Sequence, residues 1–363
     1  MKIGIVTFHF VNNFGGALQA YALKSACESL GAEAHLIDYR QWFIRFTDMV
    51  RMFPITKNPK VIISGLRTMG KRIGRRRRFA AFRQEFLSCG QTYYYSRAIE
   101  KDPPGYDRYI CGSDQIWNSF ITCGLSRAYF LTFEPDRSNK FAYAPSFGSS
   151  DVPVKVFKRM AAYISALGAV SVREKEGVDI VEKMTGERPP QLIDPSFLVP
   201  SKEWCDLADK SGYKPPFEHY ILVYIMQKDD NIYEYARRLK EKYDIPVIEI
   251  GRYGYRAHFV DECIVDLGPL EFVSLFRNAT HVCTNSYHGI IFSIIFEKKL
   301  CIIPCKRFTS RIDSLLELVG IHLSGNPDDL DLDVVYDRDS ARFMIEEHKR
   351  EAFEYLRRNL GID

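Results

Sequence analysis

The chain has 363 residues, 46% of them hydrophobic and 26% charged, the balance of an ordinary globular protein with a full core and a length that favours two domains over one. Its net charge of +4 is too small to imply a nucleic-acid-binding protein without local clustering, and no apolar run of about 18 residues is present to form a transmembrane helix. The nine cysteines form no CxxC pair, which points to reduced thiols in a cytoplasmic protein and away from zinc or disulfides.

The chain opens directly on an apolar strand over residues 2–8, without the features of a signal peptide. The loop Asn12-Asn13-Phe14-Gly15-Gly16 follows, then a helix from about Ala17 to Leu30 that Gly31 stops. Strand Ala34–Asp38 completes a β-α-β unit with parallel strands. The Gly-bearing loop lies at the carboxyl end of the first strand, where open α/β sheets place ligands. It is not GxGxxG, and a plain turn reads equally from the residues.

Residues of about 40–95 interrupt the alternation. Arg67 to Arg83 holds eight Lys/Arg and no acid, with apolar residues at spacings that suit one helix face. A solvated insertion helix is the common explanation of such a run, and a basic helix on an anionic membrane surface is the sharper one. Nucleic acid is set aside, because no aromatic platform accompanies the charge.

The alternation then resumes. Strand Asp107–Cys111 runs into the polar loop Gly112-Ser113-Asp114-Gln115-Ile116-Trp117-Asn118, and strand Lys140–Ala144 into Pro145-Ser146-Phe147-Gly148. A helix near 153–166 leads to Ala169–Arg173, where Arg173 opposes the dipole of a helix beginning at about Glu174. Such a cation calls either for a negatively charged ligand or for a salt bridge to Glu174 or Glu176. Strand Gln191–Asp194 ends in another carboxylate, and the polar stretch Ser201–Phe217 reads as an interdomain connection.

A second set of alternating elements fills residues 219–319. Two doubly wound Rossmann-like domains facing a cleft are therefore expected, over 1–205 and 216–335, with a helix in 340–363 packing back on the first. In the second domain the apolar strand 281–283 is followed by Thr284-Asn285-Ser286-Tyr287-His288-Gly289 and a buried helix. A strand turning into a helix leaves unpaired N–H groups and the positive end of a dipole, a fit for an anion. An ordinary N-cap by Asn285 or Ser286 explains the same residues. Lys306, Arg307 and Arg311 follow the last strand on the edge that carries His288.

Taken together, Asn12–Ala20, Gly112–Asn118, Ser171-Val172-Arg173-Glu174, Asp194-Pro195-Ser196-Phe197-Leu198 and Asn285–Gly289 resemble the polysaccharide pyruvyl transferase family over essentially the whole chain. The resemblance implies a GT-B-like fold, phosphoenolpyruvate as donor co-substrate and a saccharide acceptor, which can be lipid-linked; the sequence shows no metal constellation, and no resident cofactor or metal is expected. It implies donor contacts from Arg173 and His288. Some members carry an arginine where this chain has Ser286, and Lys306 or Arg311 could supply that charge. Forming a pyruvate ketal needs a proton donor and a proton acceptor. His288 is the expected reactive group, Asp114 the acceptor-side base, and Asn13, Gly15, Arg173, Asn285, Ser286, Lys306 and Arg311 the expected substrate contacts. Arg67–Arg83 would touch the inner face of a membrane. A nucleotide-sugar glycosyltransferase with Glu297 gripping the ribose, and a non-catalytic carbohydrate-binding relative, are the alternatives.

Overall fold

A computed structural model of the chain describes residues 1–50, 52–53, 56–227, 229–251, 256–302, 309–321 and 336–362. Lys306 and the expected end of the second domain at 335 lie outside these residues. The first sheet starts with β1 (Lys2–Val6), α1 (Phe14–Ser29) and β2 (Glu33–Leu36). β1 is buried from Ile3 onward, as a strand covered on both faces must be. A small parallel pair, β3 (Asp38–Tyr39) and β4 (Thr92–Tyr93), brackets α2 (Trp42–Val50), α3 (Pro59–Arg67) and α4 (Met69–Phe86). After α5 (Ser96–Lys101) come β5 (Arg108–Asp114), β6 (Lys140–Pro145), α6 (Val154–Ser165), β7 (Ala169–Val170) and α7 (Lys175–Thr185). The strand order is β2-β1-β5-β6-β7, with all neighbours parallel. The chain steps outward from β1 to β2 and then crosses to β5 on the other side. The crevice at the carboxyl ends of β1 and β5 is thus the switch point at which such sheets take ligands.

The second sheet follows α8 (Ser201–Lys210) and repeats the plan. It is built from β8 (Ile221–Tyr224), α9 (Asp230–Tyr243), β9 (Val247–Ile250), β10 (Glu262–Ile264), α10 (Pro269–Asn278), β11 (His281–Thr284), α11 (Tyr287–Ile295), β12 (Lys299–Ile302) and α12 (Thr309–Leu318). Its order is β10-β9-β8-β11-β12, again parallel throughout, so its switch point lies between β8 and β11. The last helix, α13 (Arg338–Leu360), lies against the first sheet, where the Tyr355 hydroxyl donates to the Ala142 carbonyl of β6 at 2.8 Å. No helix among the described residues is long and apolar enough to cross a membrane.

Three local expectations are corrected. Gln191–Asp194 makes a single bridge, Val172 to Gln191, before a 3-10 turn at Pro195–Phe197. Prolines at 189, 190 and 195 remove the N–H groups that a longer ladder would use. The supposed connection Ser201–Phe217 begins with a helix, α8, that buries Trp204 and Leu207. Arg277 of α10 ties it to the second domain through the Cys205 carbonyl at 3.1 Å and Asp209 at 2.6 Å. The basic run on α4 is neither a solvated stripe nor a membrane-facing one along its length. Arg72 is buried and donates to the Gly65 carbonyl, while Arg75 lies 4.4 Å over the Phe14 ring. Arg76 meets Asp48 at 3.2 Å, and Arg78 reaches the Asp266 carbonyl at 2.8 Å. α4 is a strut between the domains, with Phe79 and Phe82 buried beneath those arginines.

A buried ionic network closes the edge of the first sheet. His9 is fully buried, with Nδ1 3.0 Å from the Thr7 carbonyl and Nε2 2.9 Å from Asp38. Both ring nitrogens face oxygens that only accept, so the imidazole carries both protons. Asp38 also accepts from Arg40 and Thr92, at 2.8 and 2.6 Å. Cys89 lies in the same cluster. Burial is the largest single influence and would depress the His9 pKa, but the hydrogen bonds and charges of Asp38 and Cys89 together outweigh it and raise the pKa from 6.5 to about 9. A pKa raised on folding contributes stability that is complete below pH 6.5 and fades as pH rises through 9. Urea unfolding should therefore show roughly 3 kcal/mol lost between pH 6.5 and pH 9.5. His9→Gln should be destabilised at pH 6.5 and lack that slope.

Candidate active site

The two switch points meet. α1 is capped by Asn13, whose Oδ1 accepts from the Gly16 amide at 2.9 Å. α11 is capped by Ser286, whose Oγ accepts from the Gly289 amide at 3.3 Å. A Cβ placed on Gly15 would lie 2.1 Å from Nδ1 of His288. The two helix starts therefore abut, and position 15 has room only for glycine. Each start contributes free N–H groups and the positive end of a dipole, equivalent to about half a unit charge. The stretch 284–289 is thus both things its residues suggested, an N-cap and a site suited to anions.

Thr284 and Asn285 stitch the second switch point together. The Thr284 hydroxyl donates to the Tyr224 carbonyl at 2.6 Å and accepts from the Ser286 amide at 3.0 Å. Asn285 Oδ1 accepts from the Met226 amide at 2.9 Å, and its Nδ2 donates to the Gln227 carbonyl at 2.7 Å. Both ends of that carboxamide are occupied. Through these two bonds Asn285 holds the β8 loop in place.

Arg173 lies beneath this junction with its side chain 1% exposed. Its guanidinium stacks 4.3 Å over the Tyr287 ring, and Arg311 approaches the same ring at 5.8 Å. The salt bridge anticipated to Glu174 or Glu176 is chiefly to Asp194 instead, at 2.9 Å, with Asp114 at 3.8 Å and Glu174 at 3.9 Å. The other oxygen of Glu174, Oε1, accepts from the Phe147 amide at 2.8 Å. Nε and Nη2 of Arg173 and Nε2 of His288 are buried with no hydrogen-bond partner among the described residues. Buried donors left open in this way are what an incoming oxyanion satisfies.

Charge is finely divided here. Burial drives the His288 pKa below 6.5, a trend that Asp194 and Asp114 oppose and Arg173 and Arg311 reinforce. Its ring is therefore neutral at pH 7. Burial would raise the Asp194 pKa, but His288 and Arg173 hold it below the ordinary carboxylate value. Burial and the neighbouring Arg173 pull the Arg311 pKa down. Asp114 sits at φ +65°, a strained conformation for a residue with a side chain, and its Oδ1 accepts from the Gln115 amide at 2.8 Å.

The structure brings Asn13, Gly15, Asp114, Arg173, Ser286, His288 and Arg311 into one neighbourhood. Glu297 is elsewhere, beyond the far end of α11, paired with Arg342 at 2.7 Å. Two members were given no role from sequence: Asp194, noted there only as a strand-end carboxylate, and Tyr287. Asp194 pairs with His288, Oδ2 to Nε2 being 3.7 Å. Its position at the end of an apolar run was the available signal. Tyr287 gave none beyond its place next to His288.

The family model for polysaccharide pyruvyl transferase matches residues 13–307. No curated protein matches the sequence. Among solved structures, the chain is similar to a protein assigned as a UDP-N-acetylglucosamine 2-epimerase from Listeria monocytogenes, with 12% identity, TM-score 0.50 and coverage of 97% of this chain and 90% of that one. It also resembles the UDP-GlcNAc 2-epimerase of Neisseria meningitidis, at 12% identity, TM-score 0.46 and coverage of 100% and 95%. A glycosyltransferase from Streptomyces nogalater shares 14% identity, with TM-score 0.40 and coverage of 100% and 99%. At 12% identity the Listeria structure speaks to the fold alone, which the two parallel sheets give as two Rossmann-like domains.

By nuclear magnetic resonance, the His288 ring should titrate below pH 6.5. Asp194→Asn should lower that midpoint further, since the carboxylate favours the protonated ring. A midpoint above 6.5 in the parent protein would contradict this electrostatic account.

Proposed function

The chain belongs to the polysaccharide pyruvyl transferase family and is a transferase; on that premise we propose that it moves the pyruvyl group of phosphoenolpyruvate onto two hydroxyls of a saccharide, forming a pyruvate ketal. The observation that carries this reading is the convergence of two helix starts and two guanidinium groups on His288. Phosphoenolpyruvate brings about three negative charges at neutral pH. Two arginines and two helix dipoles are roughly balanced by Asp194, Asp114 and Glu174, so a trianion arriving here favours uptake of a proton. The neutral His288 ring is the group placed to take it.

The chemistry then follows in order. The imidazolium gives its proton to the donor's methylene carbon, leaving positive charge on C2. One sugar hydroxyl bonds to C2 as its proton passes to a base, Asp114 in this reading. The C2–O bond to phosphate breaks, phosphate departs, and the second hydroxyl adds to C2 as its proton passes to the His288 ring, neutral again after the first step. Atoms and charge balance, and no resident cofactor or metal enters the scheme. Arg173 and Arg311 hold the donor's anionic groups, and Tyr287 orients both guanidiniums from beneath. The acceptor in this reading is a saccharide, lipid-linked at the cytoplasmic face of a membrane.

Phosphoenolpyruvate should raise the melting temperature, equivalent to about 2.7 kcal/mol at a hundred times Kd. Stabilisation by UDP- or GDP-sugars alone would replace this reading with that of a glycosyltransferase. Calorimetry in buffers of different ionisation enthalpy should show about one proton taken up per donor bound at pH 7.5. His288→Ala should fold and bind the donor without forming ketal. Gly15→Ala, which pushes the ring aside, should lose about 100-fold in kcat.

A further inference from the structure

The excursion between β3 and β4 shows apolar side chains to solvent in a pattern that its inner contacts do not account for. On α2, Trp42, Phe46 and Met49 follow one another at steps of four and three, a single helix face, and are 55%, 51% and 49% exposed. Ile44 on the same helix is buried, and Asp48 ties it down through Asn12 at 2.9 Å and Arg76 at 3.2 Å. On α3, Ile63 and Leu66 are 50% and 61% exposed.

The charge around these residues has one sign. Residues 49–84 contain eleven Lys/Arg and no Asp or Glu. Several of those arginines turn inward along α4, but Lys57, Lys60, Arg67 and Lys71 are exposed. Apolar faces rimmed by cations, with the one acid of α2, Asp48, engaged by Asn12 and Arg76, have the surface chemistry of helices that lie in the headgroup region of anionic bilayers. We propose that α2 and α3 form a membrane-docking surface, which seats the protein on an anionic bilayer with Trp42 and Phe46 at the headgroup boundary. A second copy of the chain is a poor cover, because two-fold pairing would set the same cations against one another. The surface is distinct from the Arg67–Arg83 run taken as a whole and independent of the donor chemistry. Through Asp48 and Asn12 it is joined to the residue that precedes the Asn13 cap, so a docked bilayer lies alongside the site.

Trp42 supplies the test. The other two tryptophans, Trp117 and Trp204, are buried at 1% and 0% exposure. Vesicles of phosphatidylcholine and phosphatidylglycerol in a roughly two-to-one ratio, with brominated acyl chains, should quench and blue-shift the emission, and pure phosphatidylcholine much less. Sedimentation with the same vesicles should weaken at least about 10-fold for Trp42→Ser/Phe46→Ser, and similarly for Lys57→Glu/Lys60→Glu. The thermal shift with phosphoenolpyruvate, measured without lipid, should be unchanged in both variants, which separates this surface from the donor site. Absence of quenching by anionic vesicles overturns the proposal. So does undiminished sedimentation of either variant, or a dimer that depends on Trp42 and excludes vesicles.

Discussion

The site rests on one contact. Phe14, the first residue of α1, lies flat against Phe272 of α10 with ring centroids 4.4 Å apart, and Tyr224 and Phe79 close around the pair. This packing joins the apolar interiors of the two sheets into one continuous cluster. Gly15 is the next residue, so the register that seats Phe14 also sets the start of α1 against His288. Separate domains could slide past one another. A shared aromatic core holds the two helix starts at one spacing.

That spacing imposes an electrostatic problem, which the neighbouring residues solve. Two helix starts and two guanidiniums in a space largely closed to water would repel one another without compensation. Asp194, Asp114 and Glu174 offset them, and the π face of Tyr287 lies against both arginines. The compensation is incomplete in hydrogen bonding, since Nε and Nη2 of Arg173 have no acceptor among the described residues. The site is thus neutralised in charge and left open in direction, a suitable state for taking up an oxyanion in place of water.

Much of the architecture can be read from the chain because buried parallel strands leave apolar runs and their crossovers leave helical spacing. Both switch points follow from that alternation. The exceptions have physical reasons. Gly15 and Gly16 look like a turn, yet α1 begins at Phe14 because tertiary packing outweighs the poor helical propensity of glycine there. α8 hides its Trp204 and Leu207 face within a polar stretch. The arginines of α4 advertise a surface and instead brace the domains, since a long guanidinium stem can lie over Phe14 or reach a carbonyl. The residues around His288 come from five separate segments. Local spacing could mark Arg173 and His288 as candidates but could not say that Asp194 would stand between them.

The joined core also bears on how molecules come and go. Parting the sheets would wet Phe14, Phe79 and Phe272 together, at about 25 cal/mol for each square ångström uncovered. Wholesale hinge opening is therefore a slow route for ligand exchange, and small excursions of the loops at the rim are the faster one. A pocket assembled during folding has already met its ordering entropy.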